Sequence, residues 1–178
     1  MLDPLAYYSP ETYLFATIAE GFSKTGQISP EALYLIIDWK APRARTKHLS
    51  RLARIAGGTF TLATQRIAAD LYSAVGSEQR LGVLMTKWGF RLPTASALLS
   101  VLYPDMFTVY DVRVCRMLGD FDKLGDKNWS AETWREYQRF KVEVQAAAPC
   151  GFTLRNCDRW LWGKDKQKTL IAELTSAD

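Results

Sequence analysis

Between Pro93 and Pro104 the chain reads TASALLSVLY, a run of small and apolar residues without a charge. Such a stretch has the composition of a helix packed closely by neighbours, because it offers no polar face to water. A fold that contains it must wrap other elements around it, and the rest of the sequence supplies helices. Ser9-Pro10-Glu11 and Ser29-Pro30-Glu31 each set a hydroxyl N-cap ahead of a proline at the first helical position. The segment ALYLIIDW at 32–39 is apolar nearly all round and predicts a second buried helix, ended by Pro42. An amphipathic helix is expected over 46–56, with Leu49, Leu52, Ala53, Ile55 and Ala56 on one face, and Gly57-Gly58 stops it. Another is expected over 62–75, with Ile67, Ala68, Leu71 and Tyr72 on one side and Gly76 at its end. Ser77-Glu78 opens a short helix that Gly89 terminates. Residues 107–110, FTVY, read as an extended connector, and Asp111 stands where an N-cap would stand, ahead of VRVCRML. A polar loop over 119–128, a long helix over 129–147, a break at 149–151 and two last helices over 154–162 and 167–174 complete the chain. No β-sheet is convincing. The expected class is all-α: a compact two-lobed helical fold, one domain over 1–178, with a helix-hairpin-helix near 80–103.

Composition narrows the function. The chain has 178 residues, of which 48% are hydrophobic and 24% charged, so it is globular and not disordered. No apolar run reaches the roughly 18 residues a membrane span needs. The start, MLDPLAYYSPETY, lacks the basic and apolar regions of a signal peptide. Cys115, Cys150 and Cys157 are too few and too scattered for a disulfide framework. A cytoplasmic monomer with no membrane partner is expected. His48 is the one histidine, which excludes Ser-His-Asp and Cys-His catalysis and any multi-histidine metal site. No metal and no cofactor are expected. The net charge of +4 and a pI near 9.0 permit a polyanionic partner.

Residues 89–119, GFRLPTASALLSVLYPDMFTVYDVRVCRMLG, resemble the core motif of the helix-hairpin-helix DNA glycosylases, the superfamily that includes endonuclease III, adenine glycosylase and 8-oxoguanine glycosylase. That motif is Leu-Pro-Gly-Val-Gly-x-x-Thr-Ala, then an apolar helix, then Val-Asp-x-x-Val-x-Arg-Val-x-x-Arg-Leu-Gly. Gly89 to Ala95 lie over the hairpin, and Asp111, Val114, Arg116, Leu118 and Gly119 match the second segment. Asp111 follows Pro93 by 18 positions, the spacing the family keeps between its hairpin position and its catalytic aspartate. The likeness covers about 31 residues; elsewhere the chain agrees in being helical. Two positions depart from the pattern. Arg91 replaces the hairpin's second glycine, which normally takes a positive φ, so a remodelled hairpin is expected. Pro93 occupies the place of the Schiff-base lysine of bifunctional members. The resemblance therefore implies a monofunctional enzyme without lyase activity. Cys150 and Cys157 have no further pair beside them, so no iron–sulfur cluster is expected.

What the resemblance implies has a physical reading residue by residue. The partner is double-stranded DNA containing a damaged or modified base, which must leave the stack to be excised. The N-glycosidic bond breaks through a cationic, oxocarbenium-like sugar, and a carboxylate beside it stabilises that charge and orients water. Asp111 is the candidate catalytic residue; it is also a plain N-cap, and the two roles are compatible. The hairpin places free amides and the positive end of a helix dipole against a phosphate. Lys87, Gly89, Phe90, Arg91, Thr94 and Arg113 are the expected DNA contacts there. Lys40, Arg43, Arg45, Lys47, Arg51 and Arg54 form a basic run with no acid among residues 40–69. Arg43, Arg45 and Lys47 are expected on a backbone-contacting face. Trp39 and Tyr110 are the candidate walls of a base pocket. Arg116 suits an ion pair, and His48 suits the surface. Two alternatives stand beside the enzyme: a non-catalytic DNA-binding module on a glycosylase-like fold, and a helical protein unrelated to DNA.

Overall fold

The structure, a computed structural model, describes residues 10–176, and within them the chain is helical with no strand. The proposed cap Ser9 lies outside the described residues. Helix α1 is continuous through three segments, Pro10–Thr12, a π-helical Tyr13–Ile18 and Ala19–Thr25. Gly26 ends it at φ 65°, donating its N–H to Phe22 O. Helix α2 is Pro30–Lys40; Ser29 Oγ caps it by accepting from Ala32 N at 3.1 Å. A 3-10 turn, Pro42–Ala44, leads into α3, Arg45–Ile55. Then follow α4 Phe60–Ser73, α5 Gly76–Thr86, α6 Leu92–Leu102, α7 Val112–Leu118, α8 Ala131–Ala147 and α9 Leu154–Thr175.

The apolar run is the centre of the fold. Ten of the eleven residues of α6 are buried, and only Pro93 is partly open. α2 packs on one side of it, α5 on another and α1 on a third. α3 lies on α2 and α4, while α7, α8 and α9 pack on one another. One apolar cluster runs from Leu14 in α1 to Leu161 in α9. A helix without a polar face folds only when enclosed this way, and each fully buried large side chain in that cluster contributes roughly 1.5–3 kcal/mol.

The connector 107–110 is extended and buried, and side chains satisfy its amides. Thr108 N donates to Tyr137 Oη at 3.1 Å, and that hydroxyl donates to Thr108 O at 2.7 Å. Val109 N donates to Asp158 Oδ2 at 3.1 Å, and Tyr110 N to Ser96 Oγ at 2.9 Å. A buried backbone left without these partners would be costly, so the four bonds fix where the next residue, Asp111, emerges.

Two expectations about elements are corrected. Residues 154–175 form one helix, not two, because Gly163 sits within an unbroken ladder. Tyr72 is exposed, not core; its ring lies over Gly26, where an added Cβ would come within 2.7 Å, and meets Phe22 edge-on.

Candidate functional site

α7 begins where the connector ends. Asp111 has extended dihedrals, φ −142° and ψ 139°, and its Oδ1 accepts from Arg113 N at 3.0 Å. The carboxylate therefore caps the helix with one oxygen. The other, Oδ2, accepts from Lys40 Nζ at 2.6 Å. Lys40 is the last residue of α2, so the two helices meet end to end through this pair. The Lys40 side chain is 11% exposed and that of Asp111 24%. Both line a cavity of about 440 Å³ with Glu11, Trp39, Val109, Val114, Arg155, Asp158, Arg159 and Trp162. Pockets for small ligands run from roughly 300 to 1,000 Å³, and this one falls within that range.

The back wall is an ionic network. Arg155 pairs with Asp158 through Nη1 and with Glu11 through Nη2, the latter at 2.5 Å. Its guanidinium lies over Phe15 at 4.5 Å and Trp39 at 5.3 Å, while its Nε is buried without a partner. Asp158 Oδ2 accepts from Thr108 Oγ1 and Val109 N. Burial pushes the Asp158 carboxyl above its ordinary range, and Arg155 and these two donors pull it back. Arg159 Nε reaches Glu11 at 3.2 Å. At the rim, Arg113 lies over the Trp162 ring at 5.1 Å, leaving that ring 42% exposed.

The predicted residues divide. Asp111 and Trp39 come together at the cavity. Tyr110 does not: it is 1% exposed, its hydroxyl donates to Phe121 O at 2.6 Å and accepts from Gly125 N at 3.0 Å, and its ring packs on Phe140. Alternation along an extended segment turns Tyr110 inward while Asp111 faces out. Burial drives its phenol well above the ordinary tyrosine value. Phe90 is also core, 2% exposed and stacked on His48 at 5.6 Å. Thr94 is buried in the first turns of α6. Neither Phe90 nor Thr94 presents its side chain to the surface, contrary to the expected contacts.

Arg91 takes φ −78°, an ordinary extended value, so the turn before α6 carries no strain at arginine. Its Nη1 donates to Asp126 O at 2.7 Å, which ties the loop 120–128 to the turn. The positive φ falls instead at Gly89, +63°, where an added Cβ would lie 3.9 Å from the Arg51 guanidinium. Lys87 Nζ is 2.7 Å from Asp70 Oδ2, which neutralises it, although it stays exposed. Arg113 and Arg116 both reach Asp165 Oδ2, at 2.8 and 2.9 Å. The ion-pair reading of Arg116 holds, and Arg113 is committed to the same carboxylate.

The basic run splits in two. Arg43 and Lys47 are exposed without an acidic partner among the described residues, as is Arg54 further along α3, while Arg45 pairs with Asp38 at 2.9 Å. Lys40 leaves this face altogether. His48 is half-buried, not a surface residue: Arg51 Nη2 meets its Nδ1 at 3.0 Å. Burial, then the Arg51 and Lys47 charges, lower its pKa.

Lys40, Glu11, Arg155, Asp158, Arg159 and Trp162 are site residues that the sequence motif does not reveal. The last four fall at i, i+3, i+4 and i+7 of α9, one helix face that mixes charge with an aromatic ring. That stripe was the available signal. Among the described residues no cluster of His, Cys, Asp and Glu is arranged to hold a metal ion. Cys115 is buried close to Asp111, and burial lifts its thiol to about 11, so it is no thiolate nucleophile. No helix of the described residues is long and apolar enough to cross a membrane. Comparison with family models, with curated proteins and with solved structures gives no match.

Proposed function

We propose that the chain is a DNA glycosylase that releases a damaged or modified base from double-stranded DNA, with Asp111 as the catalytic carboxylate. The observation that carries this reading is the posture of Asp111. One oxygen accepts from the α7 backbone, the other from Lys40, and the residue lines a cavity of about 440 Å³ together with Trp39 and Trp162. A flipped nucleotide sandwiched by aromatic rings would present its sugar to that carboxylate. As the C1′–N bond breaks, its electron pair leaves with the base and positive charge develops on C1′ and O4′. A negative group held in place beforehand stabilises that charge without reorganising. Water is the attacking group in the monofunctional mechanism that the resemblance implies.

DNA would be held outside the cavity. The N-terminus of α6 has no side-chain cap and carries Pro93 in its first turn. Its open end, with Arg51 beside Gly89, suits a backbone phosphate. Arg43, Lys47 and Arg54 add unpartnered charge on α3. A monomer acting in the cytoplasm belongs to this reading, and the free thiols Cys115, Cys150 and Cys157 accord with it.

The second reading is a glycosylase-like module that binds DNA without cutting. The closed Lys40–Asp111 pair favours it, since a paired carboxylate can serve as structure alone. A panel of duplexes, each with one altered base, scored for abasic sites separates the two. Release of any one base in turnover with the wild-type chain supports the enzyme. Salt-sensitive binding of the whole panel with no abasic product supports the module.

A further inference from the structure

Two arginines share one oxygen at the back of the cavity. Arg155 Nη2 and Arg159 Nε both reach Glu11 Oε1, at 2.5 and 3.2 Å. All three residues line the cavity, and Glu11 crosses to α9 from the first turn of α1, 144 residues away. As a device for stability such a cluster is weak, because desolvation of the charges offsets their attraction. It is also unevenly satisfied. The Arg155 side chain is 15% exposed, yet its Nε is buried without a partner. Its guanidinium is seated over Phe15 and Trp39, which hold it in the cavity wall.

The two carboxylates on Arg155 are held differently. Asp158 is 3% exposed and also accepts from Thr108 Oγ1 and Val109 N, so it is fixed. Glu11 is 37% exposed, and among the described residues its side chain bonds to the two arginines alone. The turn that carries it, Pro10–Thr12, runs straight into the π-helical stretch Tyr13–Ile18, a form that occurs often at functional sites. Guanidinium forks match phosphate as well as carboxylate. A phosphate brings three oxygens where Glu11 gives a single one to both arginines. Without Glu11 the cluster is two cations against one fixed carboxylate.

We propose that Arg155 and Arg159 are a phosphate subsite of the cavity and that the Glu11 carboxylate occupies it in the free chain. An entering phosphate displaces Glu11, and each arginine then donates to an oxygen of its own. A neutral ligand gains nothing by the exchange, so Glu11 sets a threshold that an anion passes. The subsite needs no chemistry at Asp111 and goes beyond the base-releasing reading; where that reading holds, the phosphate is one that flanks the flipped nucleotide. Two sources carry the same oxyanion chemistry: the DNA backbone, and a terminal or free phosphate.

The test is calorimetric titration of the full chain with inorganic phosphate at fixed ionic strength. If Glu11 fills the subsite about nine-tenths of the time, Glu11→Gln should bind phosphate about tenfold more tightly than wild type. Adding Arg159→Met to that variant should remove the gain. Equal or weaker binding by Glu11→Gln, or a gain that survives Arg159→Met, overturns the proposal. Should Glu11→Gln fail to fold, the wild-type chain decides: the NMR signal of Arg159 Nε–H should shift as phosphate is added, and shifts confined to α3 would overturn the subsite. Duplexes then separate the sources. A gain by Glu11→Gln on a duplex with 5′-phosphate ends, and not on its hydroxyl-ended twin, assigns the subsite to a terminal phosphate; an equal gain on both assigns it to the backbone. A gain with inorganic phosphate and with neither duplex keeps the subsite for a free phosphate and counts against DNA in this cavity. Base release is scored separately on the altered-base panel, and its absence there removes the glycosylase while leaving the subsite.

Discussion

The N-termini of α6 and α7 are built in opposite ways. α7 carries its own anion: Asp111 caps it, and the connector before it is bonded to Tyr137, Asp158 and Ser96. α6 has no capping side chain, begins after Arg91 and Gly89, and has near that turn Arg51, whose partner is His48 and not an acid. A helix end that holds a fixed carboxylate presents negative charge to whatever enters the adjoining cavity. A helix end without a capping side chain and with an arginine near it carries positive potential. In the proposed function, the first is the place for chemistry on an electron-deficient sugar carbon, the second for a phosphate.

Removing what fixes the α7 end should have the largest effect. Asp158→Ala takes away the acceptor of Thr108 Oγ1 and Val109 N and leaves Arg155, whose Nε already lacks a partner, with Glu11 as its one carboxylate. Loss of one member of a buried pair costs about 3–5 kcal/mol. Chemical denaturation should show a fall of that size; a fall below about 1 kcal/mol would mean the connector is held by something else.

The α6 side should answer differently. Replacing Arg43, Lys47 and Arg54 together by alanine should leave stability within roughly 0.5 kcal/mol of wild type per site. DNA affinity should drop, and the plot of log K against log salt should become shallower by about 0.9 for each phosphate no longer neutralised. An unchanged salt slope would take α3 out of the interface.

The smallest effect belongs to His48, which lies under this face. Its pKa is lowered from 6.5 by burial and by Arg51 and Lys47. The unfolded chain then binds more protons than the folded one between the lowered value and 6.5, so stability rises with pH through that window and is lost as pH falls below about 6.5. His48→Gln should flatten this slope in denaturation measured across pH. A slope that survives the substitution assigns it to other groups.

The helices were legible because their signals are local. Pro93 and Pro104 bracket α6, Ser29-Pro30 opens α2, and Gly119 at φ 71° closes α7. Asp111 was legible from its spacing within 89–119. The rest of the cavity was not, because its members meet only through tertiary packing. Lys40 reads as one cation of a surface run until α2 delivers its end to α7. Tyr110 adjoins Asp111 in sequence, yet the extended backbone sends the two side chains to opposite sides. The π-helical stretch Tyr13–Ile18 has no residue pattern of its own, and Gly163 mimics a break where the helix carries on.

Everything turns on whether the carboxylate at position 111 acts on the sugar. The most direct measurement is single-turnover base release by Asp111→Asn beside its affinity for the same duplex. A fall of about 10²–10⁴-fold in rate is expected, with binding equal or tighter because a negative charge facing phosphate is gone. A variant that releases the base at the wild-type rate, or one that fails only because it no longer binds, would contradict that role.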